Sequence, residues 1–520
     1  MSMSLEPSMR SIAIALVATV CVCSLQATSP TLETARWWSH VRALADDAME
    51  GRDTGSRGYE RAARYVVNAL KRAGLKPGNA GSYYQTVPLH VVRFRADASS
   101  AQLVRGAATR TLAWHRHIRV AASPSLPSTV NAPMVFVGAA GWEREVDVTG
   151  KIIVQLAPPP NAPRTRDAMF TRPPPGAIGL LAIDNVDTLE PRRWPVQYSV
   201  TMTIRGEAPA AYNGLVIAWN PESAEWLFDG SGHSYRELKA LWDEGKPLPN
   251  FPLPSSFRAT MRVEESDLES PNIIATIAGS DPVLAQEHLV LSAHLDGYGF
   301  GEPWQASPEA KPDRIYNGAF DDAAYVALLI DFAQRTQEAR TTFRRSLSLA
   351  IFTGEEKGLL GSRYFTDHVP IARDRVIANI NLDQVRPLFP LKQLTAIAVD
   401  ESTLGDTIRD VAGGMGLRIQ ADPEPWRNLM RRADNWNFMQ IGVPATGFVL
   451  APEKGTDDEA VYKEWYARRY HTPLDDLDQP WDPSAAATFN DFFGRLVTAL
   501  ANDGRRPAWK AGSVYATPSR

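Results

Sequence analysis

The chain has 520 residues, of which 44% are hydrophobic, 22% charged and 9% aromatic, a composition that supports a large buried core and excludes disorder as the main state. The length leaves room for about three domains of ordinary size. Lys and Arg number 55 against 59 Asp and Glu, a formal net charge of −4, so bulk charge gives no basis for binding nucleic acid or an anionic membrane surface.

In chain order, the first expectation is a processing segment. Residues 12–18 form an apolar run directly after Arg10, too short to span a bilayer but of signal-peptide size. Residues 1–27 are therefore expected to be an export signal cut near Ala27, leaving a periplasmic or secreted protein with no stable membrane span. Cys21 and Cys23 both lie in this segment, so the mature chain is expected to hold neither a disulfide nor a thiolate metal site.

Beyond it, Tyr59, Ala62, Ala63, Val66 and Leu70 repeat at helical spacing, with Gly74 and Pro77 as stop signals. Short β-rich runs at 134–138, 151–156, 178–183 and 214–219, separated by proline-rich turns, predict an inserted β-rich domain over 120–262. After Pro271 strands and helices alternate, the pattern of an α/β, doubly wound, mainly parallel sheet. Strands are expected at 289–293, 346–352, 376–382 and 445–449, each nearly continuously apolar as in strands covered on both faces, and helices at 323–333, 359–366 and 485–501. The predicted organisation is thus a discontinuous catalytic domain (28–119 and 263–510), the insert and a tail at 511–520.

Ligand-type residues follow three of these strands: His294 and Asp296, then Glu355 and Glu356, then Asp383. Ligands of open α/β sheets bind beyond the carboxyl ends of strands. Asp321, opening a helix, and His471, in a loop, extend the set. Taken singly, Asp321 reads more readily as a helix cap, and the two glutamates as first-turn acids favoured by the helix dipole, than as catalytic groups. Two histidines with several carboxylates and no cysteine suit zinc or a related divalent ion at a hydrolytic centre, and the surplus over one ion's needs suits two ions sharing a carboxylate.

The motifs Leu44-Ala45-Asp46-Asp47, Glu50-Gly51-Arg52, Ser292-Ala293-His294-Leu295-Asp296, Asn317-Gly318-Ala319-Phe320-Asp321-Asp322, Thr353-Gly354-Glu355-Glu356-Lys357-Gly358, Asn381-Leu382-Asp383 and Tyr470-His471-Thr472-Pro473 occur in this order. Together they resemble the M28 family of zinc metallopeptidases, and the insert resembles their protease-associated domain. The resemblance implies an aminopeptidase acting on peptides with two Zn2+: His294 and Asp383 on one ion, Glu356 and His471 on the other, Asp321 bridging. It further implies Glu355 as general base and Asp296 as the carboxylate that orients the His294 ring. Two departures stand out, Ala323-Ala324-Tyr325 where the family usually has Ala-Ser-Gly, and Arg432-Ala433-Asp434-Asn435 where a histidine commonly ends the block.

Three other readings share the scaffold. A carboxypeptidase would need cations for a terminal carboxylate, for which Arg427, Arg431 and Arg432 are candidates. A glutaminyl cyclase would need one zinc, and a receptor-like relative none of the catalytic set.

Overall fold

The computed structural model describes residues 31–139, 146–157, 173–184, 199–207, 214–304, 311–383 and 385–516. The expected signal at 1–27, with Cys21 and Cys23, lies outside them, as does the end of the tail. Among the described residues no helix is long and apolar enough to cross a membrane.

Two eight-stranded sheets organise the chain. The first contains, in chain order, β1 (Tyr84–Phe94), β2 (Val200–Ile204), β3 (Val263–Ile277), β4 (His288–His294), β5 (Ser346–Phe352), β6 (Val376–Asn381) and β7 (Ala445–Thr446), with Lys76–Pro77 paired to β3. Its order is β7-β6-β4-β5-β3-β1-β2. β7, β6, β4 and β5 run parallel, whereas β3, β1 and β2 pair antiparallel. The sheet is therefore mixed rather than mainly parallel. The antiparallel half arises because β1 and β3 form one long ribbon, from Tyr84 opposite Ile273 to Phe94 opposite Val263, that leads out to the second sheet.

Every residue of β5 is buried, as expected of a strand covered on both faces. Period-two alternation divides the sheet's side chains between two cores. Ile273, Leu289, Leu291, Leu347, Leu349 and Ile351 meet α1 (Ala35–Leu44), α2 (Arg57–Arg72), α3 (Ala324–Glu338) and the long helix Pro483–Asn502, while Ile274, Val290, Ala350 and Phe352 meet Phe365 and Phe438 on the other face. α2 carries the predicted stripe, with Tyr59, Ala62, Ala63, Val66 and Leu70 all buried, and starts at Ser56, whose hydroxyl accepts from the Tyr59 N–H. Trp38 stacks on Trp481 with centroids 4.5 Å apart, tying α1 to the segment before the last helix.

Strand pairing runs across the expected domain bounds. Ser100–Arg105 and Ala108–Leu112, expected with the catalytic domain, pair in the second sheet beside Phe251–Thr260. Val200–Ile204, from within 120–262, instead pairs with β1 at the edge of the first sheet. The predicted strand at 445–449 is divided: Ala445–Thr446 joins β6, and Phe448–Leu450 turns away into a three-stranded sheet.

Candidate active site

The site follows from register. His294 at the end of β4 lies opposite Phe352 at the end of β5, and Ser292 lies opposite Asn381 at the end of β6. The residues that follow each strand, Glu355 and Glu356 after β5 and Asp383 after β6, are thereby delivered to one edge of the sheet. Asp321 reaches the same edge from the turn before α3, where Gly318 adopts φ 57 and a Cβ would lie 2.2 Å from the Asp321 carbonyl oxygen. Only glycine permits that approach. His471 closes the set from the loop after the helix Asp457–Arg468, its ring stacked on Tyr470 with centroids 3.6 Å apart.

The two carboxylate oxygens of Asp321 face different histidines. Oδ1 lies 3.5 Å from His294 Nε2, and Oδ2 lies 3.4 Å from His471 Nε2. His294 Nε2 is 4.0 Å from Asp383 Oδ1 and 3.9 Å from Glu355 Oε2, while His471 Nε2 is 3.7 Å from Glu356 Oε2. Of three groups of possible ligand atoms, His294–Asp321–Asp383 and Asp321–Glu356–His471 share Asp321, and the third is His294–Glu355–Glu356. All the sequence-predicted site residues are brought together here, Asp296 from behind His294.

Asp296 has a different partner from the one expected. His294 Nδ1 lies 3.0 Å from the Asp296 main-chain oxygen and 3.9 Å from its carboxylate. The carboxylate instead accepts the main-chain N–H groups of Glu355 and Glu356 and the Thr54 hydroxyl. The tight turn after β4 brings the carbonyl to the ring and leaves the side chain to pin the glutamate loop.

Sequence reasoning missed four further residues. Arg52, fully buried, donates to the carbonyls of Leu44, Leu295, Asn317 and Gly318, clamping the loops that carry His294 and Asp321. Asp322 accepts the His294 N–H. Asp475 accepts the Phe320 N–H and a Gln479 amide. Arg386 brings a buried guanidinium to 3.3 Å from Asp321. Within the motifs, Arg52 and Asp475 were visible as letters without a role, while a single arginine after β6 carried no signal.

The electrostatics of the site suit a bound cation. Burial pushes Glu355 well above the usual carboxylate range and Glu356 up to about 7, against the pull of His294 and His471. It also raises Asp383, again opposed by His294. Burial would hold the His294 ring neutral, but Glu355 and Asp322 outweigh it and raise its pKa. Asp321 goes the other way, because Arg386 and both histidines overcome its burial. His294 Nε2, Asp321 Oδ2 and Glu356 Oε1 are buried without hydrogen-bond partners. Buried carboxylates and orphaned donor atoms in a set of imidazole and oxygen ligands fit zinc.

The basic cluster resolves into separate contacts. Arg427 reaches Glu424 and Tyr462 and lies over Tyr466, Arg431 lies over Trp436, and Arg432 donates to Tyr470. The two departures are both internal: Tyr325 is buried edge-on to Phe489, and Asn435 donates to the Met430 carbonyl beside a small recess, with room for about one water, that Asp383, Ile397, Leu429 and Phe448 also line.

Comparison with known proteins defines the class. The model of Peptidase family M28 matches residues 272–497, less than half of the chain, so this segment is similar to an M28 peptidase domain. Among solved structures it is similar to an aminopeptidase from Aneurinibacillus sp. strain AM-1, 19% identical, covering 91% of this chain and 94% of that one with a TM-score of 0.57. A zinc aminopeptidase from Bacillus subtilis is 16% identical with a TM-score of 0.56, covering 94% of this chain and all of that one (100%). At such identities the likeness is one of fold. Leupeptin-inactivating enzyme 1 of Streptomyces exfoliatus is 23% identical over 214 residues, 40% of this chain and 43% of that protein, so the match spans less than half of the curated relative.

Proposed function

We propose that this protein is an exported zinc-dependent aminopeptidase that hydrolyses the first peptide bond of its substrate at a dinuclear centre, with Glu355 as general base. One observation carries the reading: the two oxygens of Asp321 face two histidines, each with a carboxylate of its own. In this reading His294, Asp383 and Asp321 hold one ion, and Glu356, His471 and Asp321 the other. Two zinc ions bound there supply Lewis acidity, lowering the pKa of a bound water to about 7 and polarising the scissile carbonyl.

The chain's own residues do the rest. Glu355, buried beside His294, has its basicity raised above that of an ordinary carboxylate by burial, as suits a group that takes a proton from water and returns it to the leaving amine. Asp296 fixes the loop on which it sits, through the Glu355 and Glu356 N–H groups. Arg52 and Asp322 hold the frame of the His294 and Asp321 loops. We assign the helices on both faces of the first sheet to the family's doubly wound layering and the second sheet to its protease-associated insert.

The test is an assay of purified protein on a panel of amino-acid p-nitroanilides, before and after chelation and after zinc is restored. Activity that vanishes on chelation and returns with zinc is expected. Silence across the panel with zinc bound would overturn the aminopeptidase reading in favour of the carboxypeptidase or cyclase one.

A further inference from the structure

We propose that Arg386 makes the two metal positions unequal, so that the Asp321–Glu356–His471 position fills first and the His294–Asp321–Asp383 position binds weakly until the guanidinium is displaced. The inference rests on the dinuclear reading above. Arg386 Nη2 lies 3.3 Å from Asp321 Oδ1 and 4.0 Å from Asp383 Oδ1. These are the same two oxygens that face His294. A cation therefore already sits against the carboxylates that one ion would use. On the other side, Asp321 Oδ2 and Glu356 Oε1 have no hydrogen-bond partner, and among the described residues no lysine or arginine pairs with either carboxylate oxygen facing His471.

The guanidinium is built in rather than draped over the site. It is 1% exposed, donates to the Asp383 carbonyl, and lies 5.2 Å from the ring centroid of Trp465. Trp465 is itself fixed by its indole N–H to Gln479, whose amide donates to Asp475, which accepts the N–H of Phe320 beside Asp321. Two positive charges within a few ångströms in a buried site repel strongly, and a hydrogen-bonded guanidinium resists removal from its carboxylates. An ion entering beside His294 must overcome both effects, whereas one entering beside His471 uses the Asp321 oxygen that the guanidinium does not touch and meets the weaker repulsion.

The test is a zinc titration of the stripped, full-length protein against a chromophoric chelator, repeated with Co2+ and its visible absorption as a reporter of each position. Two phases are expected, separated by about tenfold or more in affinity. Glu356→Gln should remove the tight phase, and Asp383→Asn should keep it. In Arg386→Met the weak phase should tighten and the separation shrink, while Arg386→Lys, which keeps a cation, should preserve it. Arg386→Gln serves the same purpose if the Met variant does not fold. One tight ion in the wild type and two in Arg386→Met would be the extreme form of the same result. An unchanged separation in Arg386→Met, or a tight phase that depends on Asp383 and not Glu356, overturns the inference and leaves the dinuclear reading standing. A single ion in every variant, Arg386→Met included, overturns both.

Discussion

Adjacent glutamates hold different positions around His294 and His471, and that difference can be measured. Glu355 lies toward His294 and outside both ligand triplets that share Asp321, while Glu356 lies toward His471 and inside one of them. Glu355→Ala is expected to keep both ions and lose about 10²- to 10⁴-fold in kcat, the usual worth of a general base. Asp321→Ala should lose metal and activity together, since it serves both positions. Elemental analysis beside steady-state kinetics separates the two, and equal metal loss in both variants would remove Glu355 from the role of base. At this scale the sequence was readable where chemistry and register coincide. His294, Glu355, Glu356 and Asp383 each follow a nearly continuous apolar run, so their place beyond a strand end could be inferred. Arg386 could not, because a lone arginine past a strand reads as solvent-facing, and its burial depends on Trp465 far along the chain. The carboxylate of Asp296 was expected on the imidazole, but hydrogen bonds from main-chain N–H groups are invisible in side-chain spacing.

Among the elements, the segment from the end of β5 to the helix α4 (Leu360–Asp367) carries the glutamates and is held from beneath. Buried Asn272 accepts the Thr353 N–H and donates to the Gly361 carbonyl. A Cβ on Gly361 would lie 2.2 Å from the Thr353 carbonyl and 2.4 Å from that same Asn272 side chain, neither of which can withdraw cheaply. Gly361→Ala is therefore expected to cost about 1–3 kcal/mol and to lower activity by shifting the Glu355 loop. Thermal melts with metal content give the first part, kcat the second, and a fully stable, fully active variant would contradict this packing. Elements themselves were largely legible: α2 and β5 announce themselves by period and by continuous apolarity. Their partners were less so, since nothing local in Val200–Ile204 says which sheet it joins, and the half-exposed Ser100–Arg105 shows only a weak alternation.

For the whole molecule, the buried carboxylates couple stability to metal. Chelation should lower the Tm and zinc restore it, by about 2.7 kcal/mol of stabilisation at a free ion concentration a hundred times Kd. A melt insensitive to chelation would argue that the centre is not part of the folded unit's energetics. Acid sensitivity has a second source, in the insert. His115, buried with its Nε2 3.0 Å from the Ser199 hydroxyl, is pushed down to about 4 by burial and by the charge of Arg119. The unfolded chain takes up a proton near the ordinary value of about 6.5, the folded one only near 4, so stability is complete above the first and falls as pH drops toward the second. About 2 kcal/mol should be lost between pH 7 and 5. His115→Asn, which tolerates the same positive φ, should flatten that slope in urea melts, and an unchanged slope would assign it to other groups.

The return of Val200–Ile204 to β1 also bears on how the protein could be dissected. Its five residues cover the N–H and C=O groups along β1, with Met202 and Ile204 against Leu360 and Tyr364 of α4. Removing the insert as a cassette would strip that cover and leave a long bare strand edge, the template on which one chain recruits another. Shortened versions of this protein should therefore be judged by light scattering before any assay, because self-association would mimic a loss of catalysis.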